Sequence, residues 1–235
     1  MSDHDDVYGE PHPDMLTFLA SSVHDMKNSV SMLIGGMQKI LAASDPKSFP
    51  DYDDLTQMTY EARRINANLV QLLTLYKLGE HLYPFDPQEI AAHGFLTHVA
   101  DQAGVLLRAR TVSLDVDAPA DLYWYFDEDL VGNVIGNAFS NAVRYTRDRV
   151  RLSARVDDGM LEIRIEDNGR GYTPEMLEQG RMACRPVDFD GGSTGLGLYF
   201  SAVIARLHRN HGRSGDLRLE NGGALGGGCF VLRLP

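Results

Sequence analysis

The chain has 235 residues, enough for one large domain or two modest ones, with 43% apolar and 23% charged residues, an ordinary balance for a globular protein. A net charge of −11 argues against a nucleic-acid surface, and no apolar run approaches the roughly 20 residues that span a bilayer, so no membrane segment is expected in this chain. Two cysteines, Cys184 and Cys229, are too few for a disulfide framework and fit a reducing, cytoplasmic compartment.

Residues 1–14 are acidic, lack the basic and apolar regions of a signal peptide, and are expected to be disordered. From Leu16 the apolar residues Leu19, Val23, Met26, Val30, Leu33, Met37 and Ile40 follow in alternating steps of three and four, a heptad seam. After the turn "AASDPKSFPDYD" a second seam runs Leu55, Met58, Ala62, Ile65, Leu69, Leu72, Tyr76. Two amphipathic helices with a short connection pack antiparallel, so 15–79 is expected to form a helical hairpin. One hairpin has little core of its own. Pairing two of them into a four-helix bundle buries both seams, which predicts a homodimer.

"GEHLYPFDP" breaks the helix, and 80–86 reads as a linker to a second domain over 87–235. A helix is expected from about Gln88 to Arg108, then strands in "TVSLDVD" and "DLYWYFD". "DLVGNVIGNAFSNAVRYT" has apolar residues at helical spacing, interrupted by Asn133, Asn137 and Asn141 at a fixed step of four. Each asparagine is disfavoured by about 0.6 kcal/mol against alanine, and the step puts all three on one side. A solvated face leaves unexplained why lysine and glutamate, better helix formers, are missing there. A polar ligand that needs amides from one rigid element explains it. "VRLSARV" and "LEIRIED" alternate strictly around "DDGM". Leu152, Ala154, Val156, Leu161, Ile163 and Ile165 are expected to face a core, and Arg151, Arg155, Glu162 and Arg164 to face water. "GLGLYFSAVIARLH" reads as a helix, "HRNH" as its polar end, and "GDLRLE" and "CFVLRLP" as closing strands. The fold class is α+β: a hairpin, then an α/β sandwich with helices on one face of a mixed sheet.

Two glycine stretches follow the asparagine helix in the chain. "EDNGRGY" places Asp167 at a strand exit with Gly169 and Gly171 behind it, and "GGSTGLGLYF" opens a helix whose first N–H groups attract phosphate. Each alone is weak. Together with "NAFSNAVRYT" and "HDMKNS", in this order, they resemble the catalytic core of two-component sensor histidine kinases, whose nucleotide domain is of the Bergerat or GHKL type. The N box corresponds to Asn137–Thr146, the first glycine box to Asp167, Gly169 and Gly171, the second to Gly192, Gly195, Leu196 and Gly197, and the phospho-acceptor box to His24–Ser29.

The resemblance implies ATP as substrate with Mg²⁺ held through the Asn141 amide oxygen, a single protein ligand that suits an ion keeping waters and phosphates. It places Asn137 and Arg144 near the phosphates, Tyr145 beside the nucleotide, and Asp167 on the adenine amino group; Asn133 is a polar neighbour outside the motif. It also implies that His24 is autophosphorylated, with Asp25 on its Nδ1–H, and that the phosphoryl group passes to an aspartate of a response regulator receiver domain. A histidine with pKa near about 6.5 is mostly neutral and nucleophilic at cell pH. Asn28, four residues on and on the same face, is implied to position the water that dephosphorylates the regulator, making the protein bifunctional. Ser29 stands where the family has proline, which leaves the bending of the first helix, with its Gly35–Gly36 pair, open. The short lid has no clear phenylalanine box; Phe189 is a poor candidate. No sensor domain is recognisable, so the input is expected from a partner acting in trans or from a longer chain. A phosphotransfer or docking protein with a silent ATP site is the alternative. Intact Asn141, Asp167 and glycines speak against it, and the heptad hairpin carrying H-D-x-x-N speaks against other ATPases of the superfamily.

Overall fold

The computed structural model describes residues 13–45, 48–182 and 195–235 and divides into two units at Tyr83–Pro84.

The first unit is a helical hairpin. Helix α1 spans Pro13–Ala43 and α2 spans Tyr52–Gly79. Proline suits a first helical turn, where its missing N–H has no partner to lose, and α1 accordingly starts there, just ahead of the expected boundary. The Ser31 hydroxyl donates to Asn66 Oδ1 across the pair at 3.3 Å. The helix pair covers only part of its seams. Leu19, Met26, Leu33 and Ile40, each seven residues apart, stay 48–63% exposed, and so do Met58 (63%), Ile65 (49%) and Leu72 (45%). At position 29 the absence of proline has a visible result. Ser29 Oγ donates to the Asp25 carbonyl at 3.0 Å, and α1 runs through Gly35–Gly36 as one α-helix.

The second unit is an α/β sandwich. In chain order come β1 (Gln88–Ala91), α3 (Ala92–Gln102), α4 (Gly104–Ala109), β2 (Ser113–Asp117), β3 (Tyr123–Phe126), α5 (Glu128–Tyr145), β4 (Arg149–Asp157), β5 (Met160–Asp167), α6 (Pro174–Met182), α7 (Leu196–Leu207), the two-residue strands β6 (Arg209–Asn210) and β7 (Arg213–Ser214), β8 (Asp216–Asn221) and β9 (Gly228–Leu234). The main sheet has the order β2-β4-β5-β9-β8, with β2 and β4 parallel and the other pairs antiparallel.

Register decides what each face carries. Leu152 pairs with Ile165, Ala154 with Ile163, and Ile163 with Leu232, so these side chains share one face. That face is buried with Val134, Ile135, Phe139, Phe200 and Ile204 of α5 and α7. Asp167 lies two residues beyond Ile165 and therefore points to the same, helix-covered side.

Three expectations need correction. Residues 88–91 form a strand, not a helix start: Ile90 pairs with Trp124 in an antiparallel ladder, and the following helix breaks at Ala103. Val156 is 51% exposed because β4 and β5 run past the helices to their turn at Asp158–Gly159. Glu162 is buried, not solvated. Arg155 donates to its Oε1 through Nε (3.0 Å) and Nη2 (2.7 Å), with Arg164 Nη1 at 3.4 Å, and the arginine stems cover it.

The polar end of α7 is a built joint. Leu207 ends the helix, His211 and Gly212 turn the β6–β7 hairpin at positive φ, and His208 is buried between them and α5. His208 Nε2 accepts the Asp127 N–H at 3.0 Å, so Nδ1 carries the proton and donates to the Ile204 carbonyl at 2.8 Å. Asp127 in turn caps α5, accepting Leu130 N–H at 3.0 Å. Burial pushes the His208 pKa below its ordinary 6.5. Its neutral form therefore supports the fold fully above about 6.5 and loses that support as pH falls through the lowered folded value. Denaturant midpoints should decline with falling pH in that window, and His208→Gln should flatten the decline; an equal slope in both proteins would contradict this.

Candidate nucleotide site and acceptor helix

Three segments of the second unit meet at one end of the helix layer. The first is the C-terminal half of α5. Asn133 Nδ2 donates back to the Asp129 carbonyl at 2.8 Å, so this amide is spent on its own helix. Asn137 is half-buried and Asn141 exposed. The second segment is the start of α7. Gly195 takes the left-handed conformation (φ 55°) just before Leu196, and a Cβ on Gly197 would stand 2.6 Å from Asn137 Nδ2. Any larger residue there would push the Asn137 amide aside. The third is the exit of β5. A Cβ on Gly169 would run into the Tyr145 carbonyl oxygen, so the first glycine turn is laid directly on the end of α5. Gly171, at φ 76°, packs likewise against Asn221.

Asp167 is fixed within this junction. It is 7% exposed, and its Oδ1 accepts Gly169 N–H at 2.7 Å and Gly228 N–H at 3.3 Å, while Gly227 N–H donates to its carbonyl at 3.0 Å. With Oδ1 engaged twice by backbone, Oδ2 is the oxygen left to meet a ligand. Tyr172 borders it; burial first, then the charge of Asp167, pushes its phenol pKa above the ordinary 10.0. At the end of α5, Arg144 stacks over the Tyr145 ring at 5.3 Å, and Arg110 Nη1 donates to the Arg144 carbonyl at 3.1 Å. Two guanidinium groups thus gather where the helix dipole is negative. The junction therefore brings a carboxylate oxygen, an asparagine amide, arginines and a helix N-terminus onto adjoining elements.

Among the described residues no group of three His, Cys, Asp or Glu side chains is placed to hold a metal ion. A neutral, exposed amide such as Asn141 fits an ion that arrives already coordinated by phosphates and water.

In the first unit, His24 and Asp25 are mostly exposed on α1 (side chains 58% and 80%). Asn28 Nδ2 lies 3.3 Å from His24 Nδ1, and Asp25 Oδ1 lies 3.7 Å from the same nitrogen. Asp25 is in ion-pair reach but beyond hydrogen-bond length, and Asn28 is nearer than expected for a residue kept for water. Both contacts are to Nδ1, and neither engages Nε2. Gly192 of the second glycine stretch, Phe189 and Cys184 lie outside the described residues. Cys229 is buried, and burial pushes its thiol up to about 12, which keeps it protonated and unreactive.

The sequence reading gave no role of its own to Thr146, which it placed only as the end of the N box, and passed over Asn168, Asn221 and the Gly227–Gly228 pair. Asn221 Oδ1 accepts Tyr172 N–H at 2.7 Å and its Nδ2 donates to the Tyr172 carbonyl at 2.8 Å. The "NGGALGGG" run ahead of the last strand was available as a signal: β9 pairs with β5, so its first residues must lie beside Asp167.

A sheet with helices on one face and a glycine-lined junction at their end defines a class. Residues 126–235 match the family described as "Histidine kinase-, DNA gyrase B-, and HSP90-like ATPase". The chain as a whole is similar to the catalytic cores of histidine kinases. It is 26% identical to the phosphate regulon sensor protein PhoR of Pseudomonas aeruginosa (82% of this chain, 45% of PhoR) and 28% identical to the histidine protein kinase DivJ of Caulobacter vibrioides (93% of this chain, 37% of DivJ). It thus spans less than half the length of these curated relatives. A solved structure of full-length ShkA in complex with AMPPNP shares the fold over 95% of this chain and 46% of that one, with a TM-score of 0.61 at 20% identity. Helical first unit and mixed α/β second unit are common to both.

Proposed function

We propose that the chain is an ATP-dependent protein-histidine kinase core that phosphorylates His24 and passes the phosphoryl group to an aspartate of a response regulator receiver domain. The observation that carries it is the convergence of the described motif residues on α5: Gly169, beside Asp167, closes on the Tyr145 carbonyl, and Gly197 closes on Asn137. AMPPNP in ShkA and the kinase relatives support the reading. In this proposal Asp167 Oδ2 accepts the adenine amino proton, Tyr145 borders the base, and Asn137, Arg144 and the Gly195–Gly197 helix start (with Gly192) hold the phosphates. Asn141 would supply one oxygen to Mg²⁺, which when bound would neutralise charge on the phosphates.

His24 Nε2 forms the N–P bond while the bond from the γ-phosphorus to the bridging oxygen breaks and its electrons leave on ADP. This needs the ring proton on Nδ1, where the Asn28 Nδ2 donor lies at 3.3 Å, so Asn28 must turn its amide and Asp25 Oδ1, at 3.7 Å, close in to take that proton as the N–P bond forms. In the second transfer, a receiver carboxylate oxygen bonds to phosphorus, the N–P electrons return to Nε2, and Nδ1 is reprotonated. The uncovered heptad lines 19/26/33/40 and 58/65/72 support a homodimer, since a second copy buries both. The input comes from a sensor protein in trans or from further parts of a longer chain.

The test is incubation of the purified protein with γ-labelled ATP and Mg²⁺. Acid-labile, base-stable label is expected; ATP binding with no label under any activating partner would favour the alternative, a docking protein with a silent site. A separate prediction concerns the reverse reaction. If Asn28 aligns water on the phosphorylated regulator, Asn28→Ala keeps autophosphorylation within about threefold and lowers phosphatase activity by about 100-fold, the range of one lost positioned group. Loss of both activities together would sink this division of labour.

A further inference from the structure

Asn168 lies between Asp167 and Gly169 and has no role in the assigned site, yet its side chain is the most heavily engaged amide of the second unit's described residues. Its Oδ1 receives the backbone N–H groups of Arg147, Asp148 and Arg149, each at 3.2 Å, and lies 2.8 Å from the Thr146 hydroxyl. Its Nδ2 donates to Asp148 Oδ1 at 2.8 Å, and its own N–H donates to the Arg149 carbonyl at 3.2 Å. Three successive N–H groups closing on one oxygen form a nest, a concavity that ordinarily takes an anion. Here a side-chain carbonyl fills it. The nest follows immediately on Arg144, Tyr145 and Thr146, the end of the amide helix.

We infer that Asn168 is a positioning residue that locks the phosphate-side end of α5 to the adenine-side exit of β5, so that both halves of the nucleotide meet one rigid frame. This rests on the nucleotide-binding reading above. The geometry separates two kinds of support. Asp167 is held by Gly169, Gly227 and Gly228, none of which depends on the Asn168 side chain. Arg149, at the end of the 146–149 turn, is also joined to β5 by the Asn168 backbone N–H and the β4–β5 ladder, but Thr146, Arg147 and Asp148 reach it through that side chain. Removing the amide therefore loosens the turn that follows Arg144, on the phosphate side, while Asp167 and Tyr145, whose carbonyl meets Gly169, stay in place.

The distinguishing measurement is calorimetric binding of Mg-ATP and of adenosine to the same full chain. For Asn168→Ala, ATP affinity is expected to fall about tenfold, equivalent to about 1.4 kcal/mol, with adenosine affinity within about twofold. The paired variant Asn168→Asp with Asp148→Asn keeps an acceptor in the nest and restores the side-chain bond with donor and acceptor exchanged; it should recover ATP affinity to within about threefold. Unchanged ATP affinity in Asn168→Ala, an equal fall for both ligands, or no recovery in the paired variant would each overturn the inference. Failure of the unsubstituted chain to bind either ligand would instead overturn the nucleotide site itself.

Discussion

A His24→Gln chain incubated with γ-labelled ATP and Mg²⁺ takes up no acid-labile label, while its affinity for ATP stays that of the native protein. The expectation follows from where the groups lie. His24 sits on a helix of the first unit and makes side-chain contacts with Asp25 and Asn28 alone among those described, so glutamine there removes the nucleophile without disturbing a core. Glutamine is neutral, helix-compatible and close in size, but its amide nitrogen has no free lone pair to attack phosphorus. The loss should be complete within detection. Label retained at a normal level in His24→Gln would mean that another residue is the acceptor.

Asp167→Asn gives the second large effect: ATP affinity falls by about 10–100-fold, as hydrogen bonds to a buried charged group are each worth about 1.5–3 kcal/mol. The reason is directional. Gly169 and Gly228 N–H groups both point at Oδ1, so an asparagine must turn its oxygen toward them to leave no donor facing a donor. Its NH₂ then occupies the place of Oδ2 and meets the adenine amino group donor to donor. The same NH₂ suits a ring that presents an acceptor there, so discrimination between ATP and GTP should narrow as ATP binding weakens. Equal ATP affinity in the two proteins, measured by calorimetry, would show that the base binds elsewhere.

Much of this junction was legible in the sequence because its parts are local. The fixed step of four in Asn133, Asn137 and Asn141, and glycines following a strand-like run, are patterns within one element. What escaped notice depends on pairing between elements. Glu162 reads as a water-facing residue of an alternating strand; it is buried because Arg155 and Arg164 close over it from neighbouring strand positions. Residues 88–91 read as the start of a helix, since four residues with one isoleucine carry no period of their own; pairing with β3 makes them a strand. Asn168 reads as an ordinary turn asparagine, and nothing in "EDNGRG" reveals that the 147–149 backbone, some twenty residues earlier, converges on its oxygen. His208 passed as a polar helix end for the same reason: its partner, Asp127, is 81 residues away in the chain. Gly192 lies outside the described residues, so the phosphate end of the second glycine stretch rests on its motif.

The unbroken course of α1 has a consequence for control. Its 31 residues extend about 46 Å at 1.5 Å per residue, with the Asp25 carbonyl doubly engaged where a proline would have cut the ladder. Such a helix behaves as a drive shaft. His24 and Asn28 lie one turn apart on a common side, so any twist delivered along the shaft sweeps both through the same arc. Rotation of α1 therefore cannot present one and withdraw the other. Under the roles proposed here, the chain sets the direction of phosphate traffic by which visitor reaches that side of the shaft, the nucleotide unit or the receiver domain, and a signal need only govern their turns of access.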